Sequence, residues 1–150
     1  MDKNETYRLL LAQVRTLLEG ETDAVANMAN VAALIQETFR FWWTGFYRVI
    51  DGQLVLGPFQ GPVACTRIGF GKGVCGTAWK ERKTLVVADV ARFAGHIACS
   101  SASRSEIVVP LFKDDEVVGV LDIDSERLSA FDATDRRWLE QIGTLVANVL

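Results

Sequence analysis

The 150-residue chain has one histidine, three cysteines and no surplus of positive charge. Each shortage excludes something. A net charge of −3 leaves no broad electrostatic footprint for nucleic acid. No apolar run approaches the length of a membrane span. The start, "MDKNETYRLLLAQ", has no basic segment ahead of an apolar core, so no signal peptide is expected. The expected compartment is the cytoplasm, where thiols are kept reduced. Three cysteines spaced ten and twenty-four residues apart need not be a disulfide framework. With a single histidine, a zinc set could draw only on Cys65, Cys75, Cys99 and His96, whose one close pair is His96-x₂-Cys99, whereas structural zinc sites usually present pairs such as C-x₂-C. "GFGKGVCG" is not a phosphate loop, because it has no Lys-Ser/Thr ending. It reads as a tight reversal before a short helix. No repeat, linker or low-complexity tract is present.

The chain does have the makings of one ordinary domain over 1–150, with 49% apolar and 23% charged residues. Helical periodicity runs through 3–19 and 22–39. The period then shortens. "WTGFYRVI" (43–50) and "QLVLGPFQG" (53–61) read as strands joined by a type I′ turn at Asp51-Gly52. A loop-rich crossover follows, with a short helix near 74–81 and a strand over 84–89. Residues 90–104 read as a loop with one helical turn. "SEIVVPLF" and "EVVGVLDID" form a second hairpin. A last helix starts at an Asp132 N-cap, with Asp135 at N3 and Trp138, Leu139, Ile142, Leu145, Val146 and Val149 on its apolar face. Helices at both ends of antiparallel hairpins predict an α+β sandwich. Helices should cover one sheet face, with loops and a ligand site on the other.

Several residues carry possible chemistry. Cys99 stands among small residues in "GHIACSSASRSEIVVPL"; it could pack, bind metal or react. Asp122 and Asp124 point to one strand face, with Val118 and Val120. They lie either in water at a fraying strand end or in a costly acidic cluster. Glu106 joins that face only if the hairpin has an odd loop or a bulge; a plain two-residue turn at Asp114-Asp115 puts it on the other. Trp43 and Tyr47 alternate about Gly45, which is expected to leave a gap between aromatic walls, while Trp42 and Phe46 face away. An aromatic slot beside acids suits a small cationic ligand with an apolar or sulfur-bearing end.

"GPVACTRIGFGKGVCGTAW", "ADVARFAGHIACSSASRSEIVVPL" and "GVLDIDS" together resemble the GAF-domain free methionine-(R)-sulfoxide reductases, with all three cysteines in their motif contexts. The resemblance spans nearly the whole chain. One departure is Ser100, where the family commonly has Asp directly after the third cysteine. The resemblance implies a GAF-like fold with a six-stranded antiparallel sheet. It implies reduction of free methionine-(R)-sulfoxide, with Cys99 as nucleophile, Cys65 as resolving cysteine and Cys75 as auxiliary. Trp43, Tyr47, Glu106, Asp122 and Asp124 match the substrate pocket. It implies recycling by thioredoxin, no metal or other cofactor, and a possible homodimer. A GAF sensor that holds a ligand without turnover is the alternative class.

Overall fold

The computed structural model describes residues 1–96 and 102–150. Two helices open the chain: α1 (Lys3–Leu18) and α2 (Ala24–Phe39). Each starts at an aspartate, Asp2 or Asp23, whose side chain accepts from a first-turn amide. The first hairpin pairs β1 (Trp43–Ile50) with β2 (Gln53–Gln60). Its turn residues Asp51 and Gly52 both have positive φ, 49° and 75°, as the type I′ turn requires. Then come β3 (Arg67–Gly69), α3 (Gly73–Glu81), β4 (Leu85–Val87) and one 3₁₀ turn at Val90–Arg92. The second hairpin joins β5 (Ser105–Lys113) to β6 (Glu116–Ser125) through another left-handed pair, Asp114 and Asp115. Helix α4 (Ala133–Ala147) closes the order, and Asp132 with Asp135 forms the expected reciprocal cap.

The six strands form one antiparallel sheet in the order β3-β2-β1-β6-β5-β4. Both edges are three-residue strands, which limits the unpaired backbone they offer. Strand β3 was not expected; three residues are too few to show an alternation. One face carries α1, α2 and α4 on Phe46, Ile107, Val109, Leu121 and Ile123. The other face packs Trp43, Tyr47, Leu54, Val108 and Val120 against Val74, Cys75 and Ala78 of α3. Helix α3 therefore lies on the loop side. Its job is to cover the ligand face.

The register of the second hairpin decides the site. Lys113 pairs with Glu116 across a two-residue turn, but Leu111 pairs with Gly119 while Phe112 pairs with Val117. Val118 is the extra residue of a β-bulge. Without it Glu106 would lie opposite Ile123 and face the helices; with it Glu106 lies opposite Asp124. The bulge also corrects the expectation for Val118, which packs with the helix-side core while Val120 stays on the ligand side. Trp42 departs from expectation too. It precedes β1 and packs on the ligand-side cluster, so strand alternation does not govern it.

Candidate active site

Cross-strand pairing brings the site together row by row. Trp43 on β1, Asp124 on β6 and Glu106 on β5 are neighbours across the sheet. Gly45, Asp122 and Val108 form the next row, and Tyr47, Val120 and Pro110 the one after. Side chains in these rows point to one face. The larger side chains at one end, Trp43, Tyr47, Glu106, Asp122 and Asp124, line a pocket with residues of the β2–β3 loop, the start of α3, His96 and Ser103. Five of the sequence-derived site residues, Trp43, Tyr47, Glu106, Asp122 and Asp124, meet there. Cys75 joins them from the first turn of α3. Cys99 and its neighbour Ser100 lie outside the described residues, within 97–101. Cys65 is disulfide-bonded, whereas Cys75 is a buried free thiol.

The aromatic wall is continuous. The Trp43 ring lies 6.0 Å from Tyr47 and 5.2 Å from Phe59, both stacked. Gly45 leaves no open gap: a Cβ there would stand 2.4 Å from Phe59 Cβ and 2.6 Å from the Trp43 ring. The indole occupies the space that glycine vacates. Polar edges of both rings hold the loop before β3. Trp43 Nε1 donates to the Pro62 carbonyl at 3.0 Å, and the Tyr47 hydroxyl donates to the Cys65 carbonyl at 2.8 Å. Tyr47 thus walls the pocket and positions Cys65. Nothing in the strand pattern pointed to that second task.

The carboxylates are not solvated. Glu106 and Asp122 are each only 6% exposed. Burial pushes the Glu106 pKa well up, and the charges of Asp122 and Asp124 push it further. Asp124 is raised well above its ordinary value by burial and by Asp122, against a hydrogen bond from Ser103 Oγ at 2.8 Å. Asp122 is raised by burial too, but hydrogen bonding from Glu106 and Cys75 and the nearby His96 oppose the rise. Asp122 is therefore the acid on which negative charge is best tolerated. Its Oδ1 is buried and has no hydrogen-bond partner among the described residues. Cys75 Sγ sits 4.0 Å from Glu106 Oε2, and burial with three acidic neighbours drives its pKa well up. That makes Cys75 a poor resting nucleophile. Cys75, Glu106 and Asp122 each bring a potential metal-ligating atom within 4.8 Å of the others. Their raised pKa values favour protons over a cation at that trio.

A family model for the GAF domain matches residues 21–150. The free methionine-R-sulfoxide reductase of Escherichia coli is 45% identical over 151 residues, covering 100% of this chain and 92% of that protein. The chain belongs to the GAF-domain free methionine-R-sulfoxide reductase family. GAF domain-containing protein A of Dictyostelium discoideum is 56% identical over 147 residues, 97% of this chain and 93% of that one. The X-ray structure of the Neisseria meningitidis free methionine-R-sulfoxide reductase in complex with its substrate superposes with a TM-score of 0.97 at 52% identity. It covers 99% of this chain and 90% of that one. The GAF sheet of this reductase family, with α3 and the loops over one face, is the frame in which the acids and aromatics above are set. Lys72, His96 and Ser103 complete the pocket lining and were not assigned to it from sequence. Loop residues carry no period, so only proximity in space identifies them.

Proposed function

We propose that residues 1–150 act as one catalytic domain that reduces free L-methionine-(R)-sulfoxide to methionine. The observation that carries this reading is the acidic trio of buried Glu106 and Asp122 with half-buried Asp124, facing an aromatic wall in one pocket. An ionised carboxylate binds the α-ammonium. A protonated neighbour gives its proton to the sulfoxide oxygen. Like charges this close do not all ionise, so one cluster serves both tasks. Trp43 and Tyr47 hold the apolar, sulfur-bearing end.

Cys99 attacks the sulfoxide sulfur as thiolate. The oxygen passes to the cysteine, methionine departs, and Cys99 is left as sulfenic acid. The Cys65 thiol then condenses with it, forming a disulfide and releasing water. A thioredoxin-type dithiol returns both thiols by exchange and is itself oxidised. Over one cycle the substrate takes two electrons and two protons. The disulfide at Cys65 and the free, high-pKa thiol at Cys75 support this division of roles. Cys75 then serves as an auxiliary thiol. The cycle needs a reducing compartment such as the cytoplasm, and no metal enters it. A homodimer is the assembly that goes with this reading.

The test is to incubate the protein with thioredoxin, its reductase and racemic free methionine sulfoxide. Half of the sulfoxide, the R epimer, should be converted to methionine. A GAF sensor would bind ligand and release no product, which would overturn the reading.

A further inference from the structure

The pocket holds one thiol that the proposed cycle does not consume. Cys75 is buried and free on the first turn of α3. Its Sγ lies 4.0 Å from Glu106 Oε2. One ligand atom each from Cys75, Glu106 and Asp122 fall within 4.8 Å of one another. Zinc binds sulfur at about 2.3 Å and carboxylate oxygen at about 2.0–2.2 Å, so neighbouring ligand atoms of a tetrahedral site stand about 3.4–3.6 Å apart. The trio needs to draw in by little more than about 1 Å at its widest to match that geometry. The backbone behind the thiol is fixed. Gly71 N donates to Gly76 O at 3.0 Å, and Gly76 N to Lys72 O at 2.9 Å. A Cβ on Gly76 would stand 2.4 Å from Gly69 O, so only glycine lets this loop clamp the turn that carries Cys75. A second observation is independent of the cluster. Asp122 is 6% exposed and lines the pocket, and its Oδ1 has no hydrogen-bond partner among the described residues. Such an acceptor is costly until something meets it. None of the three pocket acids makes an ion pair among the described residues. The only basic side chains that line the pocket with them, among the described residues, are His96 and the exposed Lys72. A cleft with more acids than bases attracts cations.

We propose that Cys75, Glu106 and Asp122 form a site for a thiophilic divalent cation, zinc or cadmium, and that this cation excludes the substrate. The exclusion rests on the substrate reading above; the cation site itself does not. Hard cations such as magnesium prefer oxygen ligands and keep their water, so they do not displace the protons held on the trio. A sulfur ligand changes that balance. A bond from Sγ to the metal replaces the S–H bond, and the proton leaves to solvent. One thiolate and two carboxylates then more than offset the charge of the ion. His96 or water is at hand for the fourth position. The cation is an inhibitor and no part of the cycle, because it occupies the acids that the sulfoxide needs.

The experiment uses a Cys65→Ser, Cys99→Ser double variant, in which Cys75 is the only thiol. Titration with cadmium should produce the ultraviolet thiolate-to-metal charge-transfer band, saturating at one ion per chain, and excess magnesium should not suppress it. The wild type with its Cys65 disulfide intact should give the same band, which provides the reading if the double variant does not fold. Cys75→Ser should abolish the band and weaken cadmium binding about a hundredfold or more, since even the groups behind a metal's ligands are worth about tenfold to a hundredfold. Asp122→Asn with Cys75 retained should weaken it at least about tenfold. In calorimetry, bound cadmium should lower the apparent affinity for L-methionine, and a chelator should restore it. Absence of the band, or undiminished cadmium affinity in Cys75→Ser or Asp122→Asn, would overturn the site. Unchanged methionine affinity in the cadmium-loaded protein would overturn the exclusion. Cadmium binding at Cys75 in a protein that neither binds methionine nor reduces its sulfoxide would instead sink the reductase reading and leave the cation site standing.

Discussion

Asp122 and Cys75 show how single residues take opposite electrostatic roles a few ångströms apart. Both are buried, yet hydrogen bonding to Asp122 favours its charge while the acids around Cys75 oppose a thiolate there. Catalysis is therefore expected to depend on Cys99. Cys99→Ser should bring methionine formation down to background in the thioredoxin-coupled assay, because a hydroxyl is a far weaker nucleophile than a thiolate. Cys65→Ser should still release about one methionine per chain in a rapid-quench experiment and then stall, since the sulfenic acid lacks its resolving thiol. A full steady-state rate in that variant would show that another thiol resolves it. The carboxylates should also read the ammonium. N-acetylated methionine-R-sulfoxide should lose about a hundredfold or more in kcat/KM, because acetylation leaves buried acids unpaired.

The elements position these residues through two backbone details. The first is the bulge at Val118, which sets Glu106 beside Asp124 instead of Ile123. The second is Gly45, whose missing side chain lets the Trp43 indole lie flat between Phe59 and Tyr47. Gly45→Ala should cost about 1–3 kcal/mol in urea unfolding, the range for overpacking a filled space. It should also raise KM, because the displaced indole is a pocket wall. An alanine variant with wild-type stability and KM would mean that the wall is softer than its contacts indicate. On the far face, the Tyr7 hydroxyl donates to Asp135 Oδ1 at 2.6 Å and ties α1 to the capped start of α4. That link steadies the helix layer behind the sheet and leaves the ligand face free for chemistry.

For the whole molecule, the acidic cluster sets how stability follows pH. Glu106, Asp122 and Asp124 all have folded-state pKa values raised, first by burial. A carboxyl raised in this way holds its proton more tightly when folded. Its stabilising effect is complete below the ordinary carboxylate range, about pH 4, and is lost as pH rises through the raised value. Taken alone, this cluster should lower the melting temperature of the ligand-free protein between weakly acid and alkaline pH. Glu106→Gln removes one contributor. The variant should melt higher than wild type at pH 8, gain nothing near pH 4, and lose most of its turnover. Equal melting temperatures at pH 8 would mean that the cluster is not the source of the pH dependence.

Periodicity, turn chemistry and capping residues are local properties, and they were legible in the chain. They placed α1, α2, α4, both hairpins, the Asp51-Gly52 turn and the Asp132–Asp135 cap close to where they stand. The cysteine contexts and the "LDID" motif pointed to the family. Contacts between distant segments obey no such period. The face of Glu106 hung on one inserted residue in the partner strand. The placement of α3 opposite the other helices depended on how the crossover wraps the sheet. The burial of Asp122 and the partial burial of Asp124, which a strand end in water would have avoided, came from α3 and the loops that line the pocket with them. Local pattern could name the acids and aromatics. Only the packed sheet could make them neighbours, because strand register and burial are set by the whole chain at once.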